Sequence, residues 1–328
     1  MRCIFICITI FIGGVFSNSC AQDLHFSNND AARAFSNFAA VSMSEDYQAT
    51  LAYRQQYTSV PVSYITSGAS FIAKWKPLTA GLNLLNDKAG DASWQTTQLQ
   101  IPLIRSVFHN NLLDLGVILV PGVSFNSFNA DALTFNSQYT SDLFNAANAS
   151  GESFSNQSFN YYHGSAGFAS SFNVNKNLNL QMGYSIKLNS KPSHFQVNTF
   201  SKNANRNQLF AHANYFINTS QYISLDANVS IQKKYQEQIF AAQYHHTLPS
   251  NKVVQSFSIG AGYRVKDAMV FYTSIRMKDI QLNLAYDLNS SSFSRATNSN
   301  GATEMILIYR FYKKQELPVP KPFCPVFL

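Results

Sequence analysis

The sequence predicts an all-β protein, a transmembrane antiparallel β-barrel of about fourteen strands preceded by a signal peptide. Three observations carry that prediction. Apolar and polar residues alternate with period two in segment after segment, so each strand has one apolar and one polar face. Aromatic residues make up 14% of the 328 residues and charged residues only 12%, with Asn, Ser, Gln and Tyr supplying the polarity; this suits a wall that meets lipid on one side and water on the other. Short and long connections fall on opposite parities, as the inner turns and outer loops of a barrel do. A soluble β-sandwich would share the first feature but has no reason to obey the third, and a closed sheet has no edges to protect.

In chain order, residues 1–21 read as the signal peptide: Arg2, the apolar run Cys3 to Phe16, then Ser19-Cys20-Ala21 with small residues before the cut. Gln22 would open the mature chain. The rival reading is a lipoprotein acylated at Cys20, but Ser17-Asn18-Ser19 lacks the leucine usual three residues before such a cysteine. Removing the signal leaves Cys324 as the one cysteine, so the exported chain forms no internal disulfide. The formal charge of +7 is scattered over strand ends, which leaves no nucleic-acid footprint.

Residues 22–46 form a lead-in rich in Asn, Ser and Ala, with a short helix near Ala31 to Asn37, that lies in the periplasm or enters the barrel. The barrel occupies 47–312. Its strand signals fall near 47–54, 62–74, 79–85, 93–104, 113–124, 158–173, 178–188, 207–217, 221–231, 237–245, 253–264, 268–275, 280–288 and 303–312. The cleanest alternation is Leu178, Leu180, Met182, Tyr184, Ile186 and Leu188 against Asn179, Gln181, Gly183, Ser185 and Lys187. Asn86 to Asp91 reads as a polar turn closed by glycine, since Asn and Asp bond their own backbone. The short connections Trp75–Leu78, Val174–Asn177, Asn218–Ser220 and Arg276–Asp279 all join an even strand to an odd one. The long ones, Phe125 to Gln157, Asn189 to Arg206 and Asn289 to Ala302, join odd to even. The last strand ends on Met305, Leu307, Tyr309 and Phe311, alternating residues that finish at an aromatic girdle. Residues 313–328 form an extended periplasmic tail, because Pro318, Pro320, Pro322 and Pro325 forbid a helix or a central strand.

Several motifs stand in a recognisable order. They are Gln22-Asp23-Leu24-His25-Phe26-Ser27, Tyr53-Arg54-Gln55-Gln56-Tyr57, Gly81-Leu82-Asn83-Leu84-Leu85 followed by Asn86-Asp87-Lys88-Ala89-Gly90-Asp91, Leu133-Thr134-Phe135, Tyr161-Tyr162-His163-Gly164-Ser165-Ala166-Gly167, Gly301-Ala302-Thr303-Glu304 and the closing Cys324-Pro325-Val326-Phe327. Together the sequence resembles the PorP/SprF family, outer-membrane proteins of the type IX secretion and gliding machinery of Bacteroidetes. The resemblance implies a cell outer-membrane component that supports secretion or surface attachment of a partner protein or adhesin. The partners it implies are outer-membrane lipid, other type IX secretion components and a secreted or surface-anchored protein, with no nucleic acid. A general porin, its lumen lined by inward Asn, Gln and Ser, is the alternative.

Enzymatic chemistry has no support in the sequence, and no cofactor is implied. No Gly-x-Ser-x-Gly, His-Glu-x-x-His or phosphate loop occurs. His245 and His246 are adjacent, but neighbours on a strand point to opposite faces and do not chelate one ion. The candidate partner-binding residues are Asn86, Asp87 and Lys88, in the turn expected at the outer face, and Cys324, Pro325 and Phe327 in the tail. The plain alternative for Asp87 and Lys88 is a solvated turn with a weak surface ion pair. Cys324 is either an exposed tail thiol free to pair with another chain or simply a relic of the family.

Overall fold

The computed structural model describes residues 24–36, 47–60, 64–75, 77–90, 93–140, 143–152, 156–190, 204–248, 253–291 and 294–311. The expected signal peptide and the proline-rich tail, with Cys324, Pro325 and Phe327, lie outside these residues. Alternation becomes structure directly: the strands are β1 Tyr47–Gln56, β2 Tyr64–Trp75, β3 Leu78–Ala89, β4 in two pieces at Trp94–Gln100 and Leu103–His109, β5 Leu113–Ser127, β6 Ser158–Asn175 and β7 Leu178–Asn189. They continue with β8 Arg206–Phe216, β9 Gln221–Gln232, β10 Tyr235–Thr247, β11 Ser256–Arg264, β12 Ala268–Met277, β13 Ile280–Asn289 and β14 Asn300–Phe311. Every neighbour pair is antiparallel, and β1 pairs with β14 from Tyr47↔Phe311 to Gln56↔Ala302, which closes the sheet into a fourteen-strand barrel.

The strand β4 is interrupted because Pro102 has no N–H to give the ladder. The break is bridged by main chain: Gly81 N–H donates to the Pro102 carbonyl and Ile101 N–H to that of Pro121. A Cβ at Gly81 would meet Phe71 O at 2.7 Å and Ile72 Cδ1 at 2.4 Å, so only glycine fits this crossing.

With the chain ends of the barrel on the periplasmic side, the described parts of the long connections, 128–140, 143–152 and 294–299, fall on the outer side. Two further outer turns are tight, including Lys233-Lys234, where Lys233 takes φ +53° in the left-handed region that two-residue hairpins use. Leu51, Phe71, Leu82, Leu119, Phe168 and Ile259 face outward and exposed, forming the lipid-facing belt.

One expectation is overturned. The segment from Asn86 onward is strand rather than turn, since β3 runs on to Ala89 and pairs with both β2 and β4. Asn86 donates from Nδ2 to Thr97 Oγ1 at 2.8 Å, and Asp87 Oδ1 accepts from Thr66 Oγ1 at 2.6 Å. Polar side chains that would otherwise bond their own backbone are thus spent on cross-strand partners. Strand alternation sends Asp87 into the lumen and Lys88 outward, so the two side chains do not share a face.

Candidate functional site in the barrel lumen

The lumen is occupied by the chain's own N-terminal segment. Asn28 starts its compact turn, its Oδ1 accepting from Ala31 N–H at 3.1 Å and its carbonyl from Ala32 N–H at 2.9 Å, and the helix α1 follows at Arg33–Ser36. Phe26, Ala31, Ala32 and Phe35 are buried against Ala52, Leu85, Ile306 and Ile308 of the wall. Ala34 packs among Ile72, Ile104, Ile118, Val120, Ala169 and Phe210. Burying Phe26 and Phe35 contributes about 2–3 kcal/mol each. Gly68 makes room for this: a Cβ there would stand 3.0 Å from Phe35 Cε1 and 3.0 Å from Leu85 Cδ2.

Above the apolar contact lies a set of buried charges. Arg54 from β1, Arg264 from β11, Asp287 from β13 and Glu304 from β14 are almost wholly excluded from solvent. Arg54 donates from Nη2 to Asp287 Oδ2 at 2.9 Å and from Nη1 to Glu304 Oε2 at 3.0 Å, while Arg264 Nη2 reaches the same Asp287 Oδ2 at 2.9 Å. Charges this deep persist only when paired.

The plug completes that set. Ser27 Oγ donates to Asp287 Oδ2 at 2.8 Å and accepts from Arg54 Nη1 and Arg264 Nη2, which uses the whole capacity of a hydroxyl. Glu304 takes the Ser27 N–H on Oε2 at 2.8 Å and the Asn28 N–H on Oε1 at 3.0 Å. Tyr272 donates its hydroxyl to the Ser27 carbonyl at 3.2 Å. Gly262 lets that ring lie across β11, since a Cβ there would fall 2.7 Å from the Tyr272 oxygen. Beside Ser27, burial holds the His25 imidazole down at about 4; Glu237 opposes this and the guanidinium groups of Arg264, Arg54 and Arg206 reinforce it.

A second contact ties the plug to the opposite wall. His212 Nδ1 lies 2.6 Å from Asp226 Oδ1, and Arg33 bonds Asp30 while its Nη2 lies 3.4 Å from His212 Nε2. Asp30, His212 and Asp226 are ligand types that hold a divalent cation, and their donor atoms lie within 4.8 Å of one another. The Arg33 guanidinium already supplies the positive charge there, so the arrangement is an ion-pair clasp. His245 and His246 diverge as expected: His245 stacks on Tyr222 inside at 4.2 Å, and His246 lies 5.4 Å from the Phe257 ring on the outer face.

Of the residues expected to bind a partner, Asn86 and Lys88 face outward and Asp87 lines the outer part of the lumen wall; none of the three touches the buried charges through a described contact. Arg54, Glu304 and Ser27 lie within the family-like motifs but far apart in sequence, so nothing local marks them as partners. Arg264 and Asp287 sat in strands read only for alternation.

These features define an outer-membrane β-barrel whose lumen is occupied by its own N-terminal segment. Two solved barrels are similar in fold: the Ralstonia pickettii toluene transporter TbuX, 11% identical with a TM-score of 0.51 over 86% of this chain and 94% of that one, and the monoaromatic hydrocarbon channel CymD, 9% identical with a TM-score of 0.52 over 88% and 94%. At such identities the likeness speaks for the fold alone. No curated protein matches the chain. The family is shown by its model: the chain belongs to the type IX secretion system membrane protein family PorP/SprF, matched over residues 18–309. It is therefore an outer-membrane protein of that secretion system, a family of a non-enzymatic kind.

Proposed function

We propose that this chain supports secretion or surface attachment of a particular exported protein or adhesin, acting as a binding scaffold and not as a solute path. The observation that carries this reading is the plug: a porin needs an aqueous lumen, whereas here Phe26, Phe35 and the Ser27–Asn28 backbone occupy it, docked on the wall. Partner contact is assigned to the outer connections, because loops vary without disturbing the strands that position them. The 128–157 connection carries a two-residue hairpin, Tyr139–Thr140 with Leu143–Phe144, beyond the ends of β5 and β6. Leu143 is 74% exposed and Tyr139 and Phe144 pack ring to ring at 5.5 Å, an apolar surface outside the lipid belt that suits a protein partner. Asn86, Asp87 and Lys88 at the outer end of β3, and Cys324, Pro325 and Phe327 in the tail, are the further partner contacts proposed, the tail reaching periplasmic parts of the machinery.

Deleting the chain and cataloguing proteins released by protease from intact cells tests this. Loss of at least one exported protein from the surface, restored by the intact chain, supports the reading. An unchanged surface together with reduced uptake of small solutes would favour the porin.

A further inference from the structure

We propose that the lumenal cradle of Arg54, Arg264, Tyr272, Asp287 and Glu304 is a peptide-recognition site, held in cis by Phe26-Ser27-Asn28. In trans it takes a partner protein's segment of the same chemistry: an aromatic residue, then serine, then a small polar residue, with free backbone N–H groups. The occupant's identity as a partner segment rests on the scaffold reading given above.

The contacts are those by which peptides are read. Two successive N–H groups are gripped by one carboxylate and a carbonyl is met by a phenol, features any extended peptide offers, while the hydroxyl bonded to Arg54, Arg264 and Asp287 selects serine. The neighbouring apolar wall of Ala52, Leu85, Ile306 and Ile308 takes the aromatic side chain.

The resident segment leaves part of the cradle unused. Arg54 Nε, Arg264 Nε and Asp287 Oδ1 are buried without a hydrogen-bond partner, on side chains that are 0%, 4% and 2% exposed. Arg264 Nε has only the longer ion-pair contact with Glu237 Oε1 at 3.9 Å, and buried donors and an acceptor that the resident segment leaves without hydrogen bonds mark a site able to bind something better matched.

Sealing the lumen does not require buried charge either. Apolar residues of similar volume close a pore at less cost than desolvated ion pairs, so the polar lock sets which sequence sits there. Its place at the outer ends of β1, β11, β13 and β14 sets it toward the face where an exported protein is met.

The test uses full-length protein in detergent and a fluorescein-labelled synthetic peptide of residues 24–36. The resident segment is loosened by Phe35→Ala, which leaves the cradle intact. The labelled peptide should bind this variant saturably and at least tenfold more tightly than wild type. A peptide carrying Ser27→Ala should bind at least tenfold more weakly, as should the parent peptide to the variant with Glu304→Gln added. Phe26→Ala serves as the loosened protein if Phe35→Ala loses the gel mobility of a heat-modifiable barrel. Equal binding of the two peptides, or none to a barrel of normal mobility, overturns the proposal. Those results leave the deletion phenotype untouched, whereas serine-dependent binding without any surface phenotype would uphold the site and sink the scaffold reading.

Discussion

Replacing Arg54 by methionine tests the lock between plug and wall. Arg54 is fully buried and pairs with Asp287 at 2.9 Å and Glu304 at 3.0 Å, so Arg54→Met removes the charge while keeping most of the stem volume. Asp287 keeps Arg264 and Glu304 keeps the two plug N–H groups, yet one buried negative charge is left in excess. Breaking a buried pair from one side costs about 3–5 kcal/mol. The barrel is held by its ladders, so the cost falls mainly on plug docking, and the released population rises roughly 10²- to 4 × 10³-fold, at about 1.4 kcal/mol per decade. The assay is thiol labelling of Ala31→Cys, a plug position only 4% exposed, in a Cys324→Ser background. Adding Glu304→Gln removes the stranded charge, so the double variant should label more slowly than Arg54→Met alone, with a coupling of at least ~2 kcal/mol. Labelling at the wild-type rate in Arg54→Met, or simple additivity in the double variant, would refute the reasoning.

Three further outcomes follow from the same geometry. Gly68→Val puts a side chain where Phe35 and Leu85 stand at 3.0 Å and should raise Ala31→Cys labelling at least tenfold while gel mobility stays that of a folded barrel. Docked His25 titrates at about 4 and a released imidazole near 6.5, so above 6.5 the residue contributes nothing; as pH falls below it, the released form gains a proton that the docked form refuses. Docking should then weaken by about 2 kcal/mol between pH 7.5 and 5, seen as a rise in Ala31→Cys labelling relative to a fully exposed cysteine labelled at the same pH, since the thiolate fraction falls for both alike, and His25→Gln abolishes that relative rise. Truncation after Tyr312 should leave a heat-modifiable barrel in the outer membrane while the partnered surface protein is lost, and Cys324→Ser alone separates a covalent contribution of the thiol from docking by the tail.

The strands were legible because period-two alternation is a direct image of a wall between lipid and water, as Leu178 to Leu188 shows. Boundaries failed where turn-forming residues found partners across strands: Asn86 and Asp87 join Thr97 and Thr66 instead of turning the chain. The plug was readable only as one of two fates for residues 22–46. A signal for it was present in the runs Val117-Ile118-Leu119-Val120 and Ile306-Leu307-Ile308, where apolar residues face both ways. Ile118, Val120, Ile306 and Ile308 point into the lumen and are nearly wholly buried, which a water-filled pore would not tolerate. The lock itself was hidden because its members come from residues 27, 54, 264, 287 and 304, and only barrel closure between β1 and β14 brings the ends together.

Conductance in planar bilayers tests the closed lumen most directly. Wild-type protein should insert without steady current, and a full barrel lacking residues 24–36 should open in discrete conducting steps. Stable porin-like current through the wild type, unchanged by that deletion, would contradict the account.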